Sequence, residues 1–242
     1  MNKIAALVTG LAVVAFFIAL SGEVPASPET ATSSQAPHSS AAKGTAQATF
    51  AGGCFWCIEA PFDEYPGVIS AISGYTGGTI VDPTYKQVSS GSTTHIESVL
   101  ITYDPDKVTY RELIEHFWMQ FDPTDVDGSF YDRGHQYTST VFYHDDEQKK
   151  IAEETRRALD LSRRFDKPVV TPIRPAVTFY PAEDYHQDYY KKNPAHYNRY
   201  RAGSGRDRFI ESIWGKDASA ADESTDGRPS EAELRAKLTL LQ

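Results

Sequence analysis

The stretch AGGCFWCIEAPF, residues 51–62, holds both cysteines of a 242-residue chain, Cys54 and Cys57, with two residues between them. A disulfide closing so small a loop constrains the unfolded chain little, so stability alone is a weak reason for the pair. Redox or nucleophilic use is the stronger reading. Cys54 stands where a helix is expected to begin, among unpaired backbone N–H groups and at the positive end of the helix dipole. Both favour thiolate over thiol. Gly52 and Gly53 let the chain turn sharply and let a substrate approach the sulfur. Cys57 follows one helical turn later, within disulfide reach. The spacing alone leaves three chemistries open. The first is attack by Cys54 on a sulfur-containing substrate, with Cys57 resolving the oxidised product. The second is thioredoxin-like dithiol exchange, with Thr171-Pro172 as its proline loop. The third and weakest is a metal site, which needs four ligands, whereas His135, His186 and His196 show no ligand spacing.

The elements that must position these residues alternate irregularly between strand and helix. Ala48–Ala51 reads as a short strand leading through the glycine pair into a helix that begins at Cys54. Val68–Tyr75 and Ile96–Tyr103 are rich in β-branched and apolar residues and read as strands. Tyr110, Leu113, Ile114, Phe117, Trp118 and Phe121 follow helical spacing, which predicts an amphipathic helix over Tyr110–Phe121. Thr138–Tyr143 is a further strand, and Asp145 caps a long helix reaching about Arg164. The Pro-interrupted run VVTPIRPAVTFY predicts edge strands. Without strict alternation the fold class is α+β rather than doubly wound α/β.

Outside this region the chain changes character. Lys3, the apolar run Ile4–Leu20 and Val24-Pro25-Ala26 form a signal-peptide pattern over residues 1–26, so export to the periplasm or medium is expected. If the signal is uncleaved it would tether the protein to the membrane. Residues 27–47 are Ser, Ala, Thr and Pro with almost no bulky apolar side chain and read as a flexible linker. One folded domain is expected over residues 48–215, followed over residues 216–242 by a polar linker and a short helix that Ser230 and Glu233 open as a capping box. Lys and Arg number 24 against 33 Asp and Glu, and this net charge of −9 argues against a nucleic-acid partner. Fourteen Tyr and twelve Phe promise an aromatic core or pocket.

The segments GGCFWCIEAPF, SGYTGG, PTYKQVSSGSTTHIE, YDRGHQYTS and YPAEDYHQDYYKKNP occur in that order. Together they resemble the peptide methionine sulfoxide reductase A family, in the subgroup with Cys rather than Gly after Phe-Trp. The resemblance implies a central mixed β-sheet flanked by helices, in a two-layer ferredoxin-like roll, and stereospecific reduction of methionine-(S)-sulfoxide. It implies Cys54 as the nucleophile. Reducing a sulfoxide needs a soft nucleophile at sulfur and a proton for the departing oxygen. Glu97 suits the second role, since it sits mid-strand among apolar neighbours where burial would raise its pKa, and it matches the family's acid. Tyr85 and Tyr137 resemble the family's phenols that hydrogen-bond the sulfoxide oxygen, and Asp132 resembles a polar residue of the same pocket. Phe55 and Trp56 would hold the S-methyl group, as aromatic rings suit sulfur. His186 matches a family motif and is read as support for that wall.

After attack, Cys54 would be a sulfenic acid, and Cys57 is the only other cysteine able to convert it to a disulfide. A thioredoxin-like reductant would reopen that bridge. The expected substrates are oxidised proteins or free methionine sulfoxide. No metal, cofactor or stable membrane partner is expected, and the chain is read as a monomer. Its tail resembles the connector of reductase A/B fusions, which would make the chain part of a split or truncated fusion. Two other functions are weighed. Dithiol exchange would need both cysteines but not Glu97, and a non-catalytic pocket for methionine-rich segments would need neither Cys54 nor Glu97.

Overall fold

The computed structural model describes residues 44–215. The signal, the linker residues before position 44 and the C-terminal helix expected past residue 230 lie outside the described residues. Within them, strands Ala46–Ala51 (β1), Val68–Thr76 (β2) and Ile96–Tyr103 (β3) form the sheet centre, joined by Thr140–Tyr143 (β6), Ile173–Pro175 (β7) and Tyr180–Pro181 (β8). A separate hairpin pairs Gly128–Ser129 (β4) with Asp132–Arg133 (β5). The helices are Phe55–Asp63 (α1), Tyr85–Ser89 (α2), Tyr110–Trp118 (α3), Asp146–Leu161 (α4), Tyr189–Lys192 (α5), Pro194–Ser204 (α6) and Arg206–Trp214 (α7).

The sheet order is β7-β6-β1-β3-β2-β8, antiparallel except for the parallel β6–β7 pair, so the sheet is mixed. Its inner four strands, in the order β6-β1-β3-β2 with α1 and α3 as the crossovers, reproduce the split β-α-β arrangement of ferredoxin-like folds. Both Pro-interrupted strands sit at the edges, where a missing N–H costs no ladder bond.

Alternation along the strands decides what the helices cover. Phe50 of β1 and Val99 and Ile101 of β3 are completely buried in the main core. Phe50 stacks on Phe117 of α3 at 4.6 Å and meets Phe62 of α1 at 5.6 Å, so both helices pack on this face. Each such side chain withdrawn from water contributes roughly 1.5–3 kcal/mol. Helix α3 starts where expected because Thr109 and Glu112 form a capping box. Glu97 shares the face of Val99 and Ile101 by the two-residue period of β3 and stands opposite Tyr75 in the β2–β3 register. A carboxylate therefore occupies a position that the strand otherwise gives to apolar side chains.

Several boundaries differ from expectation. Strand β1 starts at Ala46, because Ala46 and Gln47 pair with Tyr103 and Thr102, so it takes in the last two residues of the expected linker. Cys54 is the residue before the first helical turn rather than part of it. Helix α3 stops at Trp118, where the chain turns with Gln120 N–H bonding Phe117 O, and Phe121 fills the core from that turn. Thr138 closes a short turn on His135 O, so β6 begins only at Thr140. Helix α4 ends at Leu161, with Arg163 in a left-handed conformation.

Candidate active site

The turn from β1 into α1 requires both glycines. At Gly53 the backbone has φ +98°, and a Cβ there would stand 2.4 Å from Cβ of Ser129. A Cβ on Gly52 would lie 2.7 Å from Cδ1 of Ile58. This turn delivers Cys54 as the N-cap of α1, with its carbonyl accepting from Cys57 N–H at 3.0 Å. No side chain of the cap satisfies the first-turn donors. Glu97 does so from the sheet beneath, its Oε2 accepting from Phe55 N–H at 3.1 Å. That bond fixes the carboxyl beside the residue following Cys54.

Glu97 is 2% exposed, and burial is the main reason its pKa rises to about 8, with the charges of Asp132 and Cys57 adding and the Phe55 N–H opposing. Below that pH it carries a proton. The cysteines divide unequally. Burial pushes the Cys54 thiol up, helped by its hydrogen bond with Cys57 and by the nearby carboxylates of Glu97 and Asp132. This corrects the expectation that the helix N-terminus alone would make Cys54 the thiolate. Cys57, also buried, is lowered to about 6, first by the hydrogen bond with Cys54 and then, against burial, by the guanidinium charges of Arg206 and Arg201.

The remaining expected polar residues converge here from three elements. Tyr85 opens α2, and its backbone N–H donates to Glu183 Oε1 at 2.9 Å while Tyr75 Oη donates to Glu183 Oε2 at 2.8 Å. Burial, then the charges of Glu97 and Cys54, push the Tyr85 phenol to about 12. Tyr137, from the turn His135–Tyr137, is raised for the same reasons, burial first and Glu97 next. Asp132, on β5, accepts a hydrogen bond from Tyr200 Oη, and burial raises it against that bond and the charge of Arg206. Both phenols are neutral donors at any ordinary pH.

Phe55 and Trp56 form an aromatic wall with His186. The Phe55 ring lies 5.0 Å from His186, 6.0 Å from Tyr75 and 6.5 Å from Tyr85. Trp56 lies flat on Tyr189 at 3.8 Å and meets Tyr200 edge-on at 6.1 Å. His186 is buried, neither ring nitrogen has a hydrogen-bond partner, and burial lowers its pKa. It serves here as an aromatic ring. The other histidines weighed as ligands are engaged elsewhere: His135 Nε2 lies 3.0 Å from Thr94 O, and His196 Nδ1 lies 3.2 Å from Tyr189 Oη. Thr171 bonds Ser139 Oγ at 2.9 Å, and Pro172 O accepts from Val141 N–H, so that pair belongs to the β6–β7 edge.

Sequence reasoning missed the residues that hold these groups in place. Buried Glu59 of α1 accepts from Ser73 Oγ at 2.8 Å and from Asp188 N–H at 2.7 Å, tying the nucleophile helix to β2 and to the loop carrying His186. Glu183, Tyr200, Arg201 and Arg206 were missed as well. Glu59 and Glu183 lie inside the segments GGCFWCIEAPF and YPAEDYHQDYYKKNP, but nothing local to Tyr200, Arg201 or Arg206 marks them.

Residues 46–218 match the family described as Peptide methionine sulfoxide reductase. The Peptide methionine sulfoxide reductase MsrA of Listeria monocytogenes serotype 4b (strain CLIP80459) is 57% identical over 168 residues, which cover 69% of this chain and 95% of that protein. MsrA 2 of Staphylococcus aureus (strain MW2) is 54% identical over the same shares. Among solved structures, reduced Mxr1 from Saccharomyces cerevisiae has a TM-score of 0.56 at 33% identity, covering 62% of this chain and 87% of that one. Methionine sulfoxide reductase A of Corynebacterium diphtheriae gives 0.54 at 32% identity, covering 63% and 77%. With a buried thiol pair, a proton-bearing carboxyl and an aromatic wall on the matching fold, this chain belongs to the peptide methionine sulfoxide reductase family, class A.

Proposed function

We propose that the chain reduces methionine-(S)-sulfoxide with Cys54 as nucleophile and Glu97 as proton donor. The observation that carries this is the proton-bearing Glu97 held by Phe55 N–H beside Cys54. The sulfoxide's methyl group packs against Phe55 and Trp56, and Tyr85 and Tyr137 donate to its oxygen. Cys54 passes its proton to its hydrogen-bond partner Cys57 and attacks the sulfoxide sulfur. Glu97 protonates the sulfoxide oxygen, the S–O bond breaks as that hydroxyl passes to Cys54 Sγ, and the bond between Cys54 and the substrate sulfur opens, so methionine leaves with two electrons gained. Cys54 is left as a sulfenic acid. Cys57 then returns its proton through the Glu97 carboxylate, attacks Cys54 Sγ and expels water, closing the Cys54–Cys57 disulfide. A thioredoxin-like dithiol restores both thiols. Protein-bound and free methionine sulfoxide are both proposed as substrates, and the signal pattern of residues 1–26 supports an exported enzyme.

A pure dithiol oxidoreductase is not favoured, because it has no use for a neutral carboxyl at the nucleophile. The test is an assay on the two epimers of a methionine sulfoxide peptide with dithiothreitol as reductant. Consumption of the S epimer alone, abolished in Cys54→Ser, supports the proposal. Turnover of both epimers, or survival of activity in Cys54→Ser, overturns it.

A further inference from the structure

The two C-terminal helices direct their arginines at the cysteine turn. Arg206, at the start of α7, is 1% exposed, yet no carboxylate pairs with it among the described residues. Its guanidinium donates to Gly52 O at 3.3 Å and Ser129 Oγ at 3.3 Å, bonds Gln120 O, and lies over the Phe130 ring at 4.9 Å, while its Nε has no partner. Carbonyls and a ring only partly compensate a buried cation, which normally demands an anion. Arg201 of α6 donates through Nη1 to Cys57 O at 3.2 Å and through Nε to Asp207 at 2.7 Å. Asp207 pairs with Arg201, and the other anions in reach of the two arginines are the Cys57 sulfur and Asp132.

We infer that Arg201 and Arg206 are the counter-charges of the resolving step, holding negative charge on the Cys57 sulfur as it attacks the Cys54 sulfenic acid. The inference rests on Cys57 being the resolving thiol, as proposed above. In it the C-terminal segment contributes cations to an internal resolving cysteine, in a chain with no cysteine beyond Cys57. Besides these arginines, Cys57 is faced by Cys54 on its own turn, Tyr197 and Tyr200 of α6, Asp132 of β5 and Glu97 of β3. Of these, the arginines alone are cationic. The step is balanced: the Cys57 electron pair forms the S–S bond, the Cys54 S–O bond breaks, and the oxygen leaves as water with the proton that Cys57 gave up. The two electrons have already passed to the sulfoxide.

Arg201→Gln removes one charge from a partly exposed position. Losing one nearby opposite charge raises a thiol's pKa by about one unit, so the Cys57 thiolate falls about tenfold well below pH 6 but only about twofold at pH 7. The more basic thiolate is intrinsically about threefold more nucleophilic, which leaves disulfide formation about threefold slower at about pH 5 and the two proteins level near about pH 6.5. Above the pKa of both proteins the order reverses, and the variant closes its bridge faster than wild type. The measurement is a single turnover with a stoichiometric sulfoxide peptide, followed by rapid alkylation and mass spectrometry, with dione trapping of the sulfenic acid. Rates are taken across pH, and Arg201→Lys is run in parallel. Crossing profiles, with rescue by Lys, support the inference. Equal rates at about pH 5, or a variant slower at every pH, overturn it. Failure of the underlying reading looks different: wild-type protein would then stop at the sulfenic acid with Cys57 still alkylatable. Should Arg201→Gln not fold, the thiolate absorbance of Cys54→Ser protein reads Cys57 directly. A titration midpoint below the ordinary 9 supports the inference, and one at or above it overturns it.

Discussion

Glu97→Gln separates what this carboxyl does for chemistry from what it costs the fold. In the native protein its pKa rises from 4.5 to about 8, because the side chain is buried under α1. The folded state therefore holds this proton more tightly than the unfolded chain does. Native stability falls as pH climbs from 4.5 to about 8 and levels off above that. At roughly 1.4 kcal/mol per pH unit, the cost at pH 9 is on the order of 4–5 kcal/mol. Glutamine is isosteric, carries no charge and can still accept from Phe55 N–H. The variant should thus match wild type near pH 5 and be the more stable protein at pH 9. At about 2–4 °C per kcal/mol for a chain of this size, the gain in melting temperature is about 8–20 °C. Glu59, raised to about 7 mainly by burial, gives both proteins the same trend and cancels in the comparison. Turnover should meanwhile drop roughly 10²–10⁴-fold, the usual worth of general acid catalysis. Wild-type turnover should also decline above about pH 8, as the proton is lost. Thermal denaturation of the two proteins from pH 5 to 9 decides the matter. Parallel stability profiles would show that Glu97 is not a buried neutral acid, and the reasoning from β3 to catalysis would fail with it.

Cys57→Ser should still reduce one equivalent of sulfoxide in a single turnover, more slowly because Cys54 loses its proton acceptor, and should not turn over with a thioredoxin-type reductant. Rapid methionine release by this variant at the wild-type rate would show that Cys57 takes no proton from Cys54. Gly53→Ala forces a side chain to φ +98° and into Ser129, at a cost of roughly 1–3 kcal/mol from backbone strain alone. Urea denaturation should report that loss, and turnover should fall with it as Cys54 shifts away from Glu97. Phe50→Ala should destabilise by roughly 3–5 kcal/mol through the cavity left between Phe62 and Phe117, and denaturation at pH 7 measures it.

What could be read from the sequence was what local pattern decides. Strand β3 fell where its β-branched run placed it, and α3 began where Thr109 and Glu112 cap it. Glu97 was legible through its resemblance to the family's acid, since pattern alone reads a strand carboxylate as exposed. The supports of the site were not legible, because they come from far away in the chain. Arg206 reaches Gly52 across 154 positions, and Asp188 reaches Glu59 across 129. No periodicity signals such a meeting, and an arginine in a polar helix reads as a solvated charge until the fold buries it.

The state of Cys54 shows most clearly where local argument stops. A helix N-terminus favours thiolate wherever it is solvated, since the dipole acts over the first turn only. Here the same turn is packed against the sheet, and desolvation opposes charge on Cys54 more strongly than the helix end favours it. The negative charge of the pair moves one turn along, to Cys57, where two guanidiniums from the C-terminal helices lie. A resting Cys54 that keeps its proton is poorly placed to be oxidised by small diffusing oxidants, which attack thiolates. In the proposed reaction it becomes a nucleophile when that proton moves to Cys57, with a sulfoxide seated against Phe55 and Trp56 and Glu97 ready to protonate the oxygen. Burial thus does two things that a solvated cysteine at the same helix end could not. It withholds the thiolate from the wrong reaction, and it keeps on Glu97 the proton that the right one consumes.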